Sequence, residues 1–132
     1  MDVRRLRPYL PSVLKSSEFL KKKYSQPLLK SRNESLNFDQ MIWWRLKDNE
    51  VVNPYKLLPP TFDDIDNESI ETLELDSDLN ISEGGSATIA YGKLQFSYVP
   101  VEERAAVENS LFRYCELDTL AMVMIYEAFE NY

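Results

Sequence analysis

Residues 112–122 read FRYCELDTLAM. The stretch lies inside a run, Val101–Tyr132, that contains neither Gly nor Pro and is rich in Glu, Ala, Leu and Met, all good helix formers. At 100° per residue, Glu116, Thr119, Glu127 and Glu130 fall together and are expected to face solvent. Leu111, Tyr114, Cys115, Ala121, Met122, Ile125, Ala128 and Phe129 form a broad apolar stripe on the other side. Asp118 lands within that stripe, and Tyr114 lies one turn below it. Taking a carboxylate out of water costs several kcal/mol unless it is partnered. Asp118 is therefore expected to have a partner: an Arg or Lys, with Arg113 and Arg45 as candidates, a set of backbone N–H groups, or a metal ion.

The rest of the chain also reads as mainly α. Pro8 and Pro11 limit residues 4–14 to a turn or a short broken helix. SSEFLKKKYS (16–25) has Ser before the helical pattern, Glu18 early and three lysines late, as the helix dipole favours. DQMIWWRLKDNE (39–50) is expected to be a short helix capped by Asp39, with a strand as the alternative. NPYKLLPP (53–60), held between prolines, must be extended or turning. Residues 61–80 form an acid-rich stretch expected to be an exposed loop. Gly84-Gly85 predicts a tight turn, after which Ser86 opens a helix to about Leu94; residues 86–132 form the motif-bearing helical segment. Pro100 marks the start of the last helix.

Composition excludes several chemistries. The 132 residues include one Cys and no His, so there is no disulfide framework, no His- or Cys-rich zinc site and no histidine base for a catalytic triad. Any metal must bind through oxygen, which favours Mg²⁺ or Mn²⁺. No apolar run approaches the roughly 18 residues that cross a bilayer, so no membrane partner is expected and the compartment reads as cytoplasmic. The net charge of −7 is divided unevenly. Residues 1–32 form a basic segment of +7 and the remainder carries −14. That segment either complements the chain's own acidic part or contacts an anionic partner such as nucleic acid. EGGSA (83–87) lacks the lysine and preceding strand of a phosphate loop and reads as a plain turn. The two DNE strings (48–50 and 66–68) lie in polar surroundings and read as solvent-exposed.

YCELDTLAMVMIYEAF (114–129) resembles the third motif of the DEDDy class of 3′→5′ exonucleases, which have a ribonuclease H-like fold. The order of RLRPYLPSVLKSSEFLKKKYS, NPYKLLPP, ISEGGSATIAY and EERAAVENSLFRYCELDTLAMV is similar to the C-terminal part of a bacterial domain family of unknown function. That family is exonuclease-like and often fused to RecB-like nuclease modules. The resemblance implies that Asp118 ligates a metal, Mg²⁺ or Mn²⁺ in the complete domain, and that Tyr114 orients the attacking water. It also brings forward the Leu10-Pro11 turn with Arg5 and Arg7. A complete domain has an early D-x-E strand and a second Asp ahead of the matching region. On this reading the chain is the helical C-terminal part of an α/β domain. Its partners are then the missing N-terminal half and, for the complete protein, nucleic acid. One carboxylate cannot hold two metals, so the chain by itself is expected to be inactive and to bind no metal. The alternative is a non-catalytic helical module that docks a protein or nucleic acid through the basic segment and Trp43, Trp44 and Tyr55. A surface that the other half would cover is also expected to favour self-association.

Overall fold

The first helices follow the capping signals. The computed structural model describes residues 3–59, 84–96, 98 and 100–132. Helix α1 (Val3–Leu6) passes through a 3₁₀ turn, Arg7–Tyr9, into α2 (Leu10–Ser16), and α3 (Glu18–Tyr24) follows. Ser17 caps α3 by accepting from the Leu20 amide at 3.2 Å, and Lys21–Lys23 occupy its last turn. Strands β1 (Leu46–Lys47) and β2 (Glu50–Val51) form a small antiparallel hairpin. A 3₁₀ turn, Pro54–Leu57, comes next; α4 (Gly84–Phe96) and the 30-residue α5 (Val101–Glu130) complete the described elements. The described chain is mainly helical, as expected. The acid-rich stretch 61–80 and the second DNE string lie outside the described residues.

The chain forms two compact units, Met1–Leu57 with Cys115–Tyr132, and Leu58–Tyr114. In the first, Leu10, Leu14, Leu20, Tyr24, Phe38, Trp43, Leu117, Ala121 and Met124 are buried. Trp43 packs edge-on against Phe38, with ring centroids 4.9 Å apart. Trp44 joins the ends of two helices: its amide donates to the Tyr24 carbonyl at 2.9 Å and its Nε1 to the Leu14 carbonyl at 2.9 Å. In the second unit Ala90, Leu94, Ala106 and Val107 are buried, together with Glu103. Lys93 pairs with Glu103 at 2.7 Å, and Arg104 donates to the Leu94 carbonyl near the end of α4.

Two expectations need correction, and a third gains detail. Residues 39–50 are not helical. Met41 bridges to Leu28, Gln40 has a φ of 55°, and the chain then enters β1. Trp43 is buried and Trp44 half-buried, an alternation closer to the strand alternative. The first DNE string is solvent-exposed, as expected, and supplies the hairpin turn. Asp48 and Asn49 have φ values of 53° and 63°, the left-handed pair that a two-residue turn between twisted strands requires. The double glycine does not precede α4 but forms its first turn.

The largest correction concerns α5. Its buried face is Val107, Ser110, Tyr114, Leu117, Ala121 and Met124, so Tyr114 and Ala121 were placed correctly. Leu111 and Ile125 are only half-buried, and Cys115 and Met122 are exposed. From Leu117 to Ile125 nearly every residue is apolar, so hydrophobicity carries little directional contrast. The phase therefore rested on Glu116, Thr119, Glu127 and Glu130; Thr119 and Glu130 are exposed as expected, whereas Glu116 and Glu127 are half-buried and engaged with other segments. Glu127 accepts from the Tyr24 hydroxyl at 2.7 Å and from Lys23 at 2.8 Å, tying α3 to the C-terminal half of α5.

Burial, and then the hydrogen bond and charge of Glu127, push the Tyr24 hydroxyl well above the usual tyrosine range. A raised folded-state value means that the stability from neutral Tyr24 is complete below about pH 10, the unfolded value, and is lost as pH rises beyond it. We expect wild-type stability to fall above pH 10 by about 1.4 kcal/mol per pH unit more steeply than that of Tyr24→Phe. Urea denaturation from pH 8 to 11 checks this; parallel slopes would refute it.

Candidate functional site

Asp118 meets its partner through a chain of local interactions. Asn53 shapes the turn before Tyr55: its Oδ1 accepts from the Tyr55 amide at 3.1 Å and its Nδ2 donates to the Arg7 carbonyl at 3.2 Å. The Arg7 guanidinium lies over the Tyr55 ring, 3.8 Å from its centre. The Tyr55 hydroxyl then donates to Asp118 Oδ1. Thus the segments RLRPYLP and NPYKLLPP, far apart in sequence, converge on one carboxylate.

The protein groups expected as partners were not the ones found. Asp118 is half-buried and bonded to a phenol, not to a cation or a set of backbone amides. Arg45 donates instead to the Ile42 carbonyl, and Arg113 to Ser110 Oγ. Among the described residues no Lys or Arg forms an ion pair with Asp118. Tyr114 is buried four residues earlier on the same helix. The Cys115 thiol is pushed above its ordinary range, first by partial burial of the sulfur and then by the Asp118 charge.

A second carboxylate on α5 was missed. Glu116 takes four hydrogen bonds. Oε2 accepts from Ser35 Oγ at 2.7 Å, and Oε1 accepts from the Leu36 and Asn37 amides at 2.9 Å each and from Asn37 Nδ2 at 3.1 Å. Its partners are neutral groups of a tight turn, in which Ser31 and Ser35 exchange backbone bonds at 2.7 and 3.1 Å. A sequence signal existed in SRNESLN (31–37), a stretch dense in Ser and Asn donors with one acid of its own.

The described residues do not by themselves make a metal centre. Among those described, no group of three or more His, Cys, Asp or Glu could hold an ion, and Asp118 is a lone ligand candidate. A crevice lined by Leu6, Arg7, Leu10, Ala121, Met122 and Ile125 has no room for a water molecule. A roomier cleft of about 440 Å³ lies at the far end of α5, between Val13, Ser16, Ser17 and Glu18 and Ala128, Phe129, Asn131 and Tyr132. That is roughly 15 Å along the helix axis from Asp118. Among the docking aromatics, Trp43 and Tyr55 are buried, which makes them core rather than contact surface. No helix among the described residues is long and apolar enough to cross a membrane.

Two substitutions separate the carboxylates. Glu116→Ala strips a charged acceptor from four donors and should cost about 3 kcal/mol or more in urea denaturation; a loss below about 0.5 would show that the turn holds itself. Asp118→Asn keeps an oxygen for Tyr55 and loses only the charge assistance, so about 1 kcal/mol is expected. A loss of about 3 to 5 kcal/mol would instead mark a buried ion pair. The same change should speed modification of Cys115 by a disulfide reagent at pH 8, since it removes one of the two causes that raise the thiol.

Comparisons with protein-family models, with curated proteins and with solved structures find no match to this chain.

Proposed function

We propose that this chain carries the Asp118-bearing helix of a DEDDy-like, metal-dependent 3′→5′ exonuclease domain, and that its own residues do not hydrolyse nucleic acid. What supports the reading is the state of Asp118. A carboxylate on the apolar side of a long helix is held by a neutral hydroxyl and has no cation paired with it among the described residues. A metal ligand needs its charge left available in this way, whereas a structural aspartate usually meets an Arg or Lys. The roles of Asp118 as ligand and Tyr114 as orienter of water come from the resemblance of 114–129 to the exonuclease motif. Mg²⁺ or Mn²⁺ would supply water activation and charge stabilisation at the phosphodiester. Further carboxylates would have to come from outside the described residues. Nucleic acid is then the partner of the complete protein, and a cytoplasmic setting fits a chain with one cysteine.

The test uses the complete assembly, purified through a tag on this chain from its source cells. It should release nucleotides from 3′-labelled single strands with Mn²⁺. Asp118→Asn should lower the rate by about 100-fold or more, the scale of losing a group that acts in the transition state. Unchanged rates in Asp118→Asn would overturn the site. The isolated chain should show no turnover; Asp118-dependent turnover by the chain alone would overturn the claim that it is inactive.

A second reading, a non-catalytic module for an anionic partner, rests on one observation. Exposed Lys15, Lys21, Lys22, Lys30 and Arg32 form no ion pair among the described residues, while Lys23 does. Anisotropy with single-stranded DNA at two salt concentrations tests it, since phosphate contacts weaken steeply with salt. Binding unaffected by Lys21→Glu and Lys22→Glu together would remove this reading.

A further inference from the structure

The cleft at the end of α5 holds about 440 Å³, within the size range of small-molecule sites. Its walls are the junction of α2 with α3 and the end of α5 with the two residues after it, all within the first compact unit. Its hydrogen-bonding groups are mostly unspent acceptors. Among the described residues the Glu18 carboxylate forms no ion pair and accepts no hydrogen bond. Asn131 Nδ2 donates to the Glu127 carbonyl at 2.9 Å, which leaves Oδ1 open. Ser16 Oγ donates to the Val13 carbonyl at 3.2 Å and keeps its lone pairs, while Ser17 Oγ accepts from the Leu20 amide at 3.2 Å and keeps its proton. Phe129 and Tyr132 add two exposed rings to the lining.

The rim carries the opposite charge. Lys15 directly precedes Ser16, and Lys22 lies one turn beyond Glu18 on α3. Both are exposed and form no ion pair among the described residues. Two cations thus flank one anion. A simple cation would suit Glu18 and the rings but is repelled by both lysines. A simple anion would suit the lysines but meets Glu18. All the groups are satisfied by a flat ring that brings an amino group and is joined to an anion. We propose that the cleft binds a nucleotide whose base carries an exocyclic amino group. The base stacks on Phe129 and Tyr132, its amino group donates to Glu18 and Asn131 Oδ1, and its phosphate lies toward Lys15 and Lys22. A free mononucleotide and a nucleotide within a single strand both offer this chemistry. The inference does not depend on the role of Asp118, roughly 15 Å away along the helix axis.

Titration calorimetry of the full chain tests it, with adenosine monophosphate as the probe. A Kd of about 1 mM or below is expected. Purine riboside monophosphate, which has hydrogen in place of the amino group, should bind about tenfold more weakly. Glu18→Ala should cut that preference to about twofold. Phe129→Ala should weaken adenosine monophosphate about fivefold or more and leave the circular dichroism unchanged, because the ring faces solvent. Lys15→Gln together with Lys22→Gln should weaken adenosine monophosphate but not adenosine. Tyr9→Ala, an exposed ring that does not line the cleft, is the control and should have no effect. A strand of six deoxyadenosines that binds about tenfold more tightly than the mononucleotide assigns the site to single strands; equal or weaker binding assigns it to free nucleotides. Absence of binding up to about 10 mM adenosine monophosphate overturns the proposal. So does equal binding of the analogue without the amino group, or binding that ignores both Phe129→Ala and Glu18→Ala. Tighter binding of arginine amide than of adenosine monophosphate overturns it in favour of a cation site.

Discussion

The turn at residues 31–38 depends on a carboxylate that it does not contain. Four donors from Ser35, Leu36 and Asn37 converge on Glu116, eighty residues later in the chain. A turn of this kind exposes several backbone N–H groups at once, and burying them unpaired would cost about 1–3 kcal/mol each. One anion satisfies them together, and hydrogen bonds to a charged acceptor are about twice as strong as neutral ones. The consequence reaches the core. Ser35 Oγ donates to Glu116 and accepts from the Phe38 amide at 3.0 Å, and Phe38 is the ring against which Trp43 packs. The position of the main aromatic pair thus follows from where α5 places Glu116.

Two further carboxylates on α5 work by related chemistry. Glu127 accepts from the Tyr24 hydroxyl and from Lys23, and Asp118 accepts from the Tyr55 hydroxyl. In the first unit the helix is therefore held to its surroundings at three levels by acids that meet hydroxyls and amides, with one lysine. Neutral donors fix a carboxylate's orientation without placing a cation beside it. At Glu116 and Glu127 that serves structure. At Asp118 the same arrangement is what the proposed exonuclease role would use, and Arg7 enters only through the Tyr55 ring, to whose face it is stacked.

The second unit holds its helices differently. Glu103 is buried in the first turn of α5, where the helix dipole favours an anion, and Lys93 of α4 reaches it. Only Glu103 is buried, so the pair is costly to break chiefly from the lysine side, which would leave Glu103 an uncompensated charge. It defines the pairing of α4 with the start of α5 more than it strengthens it.

The sequence by itself determined what depends on neighbours along the chain. Absent Gly and Pro set the length of α5, Ser17 and the Glu-to-Lys gradient set α3, and Pro100 set where the last helix begins. Missing His excluded whole mechanisms. It also singled out Asp118 as a carboxylate that must find a partner. The phase of α5 was not legible, because its nearly continuous apolar run offers little contrast and two of its four polar markers, Glu116 and Glu127, were engaged with other segments. Residues 39–45 misled for a related reason: Trp43 and Trp44 suit helix or strand, and the bonds from Trp44 to Leu14 and Tyr24 decided between them. The partners Tyr55 for Asp118, Ser35–Asn37 for Glu116 and Tyr24 for Glu127 lie about 60 to 100 residues away. No periodicity carries information across that distance, so only the tertiary structure could supply them.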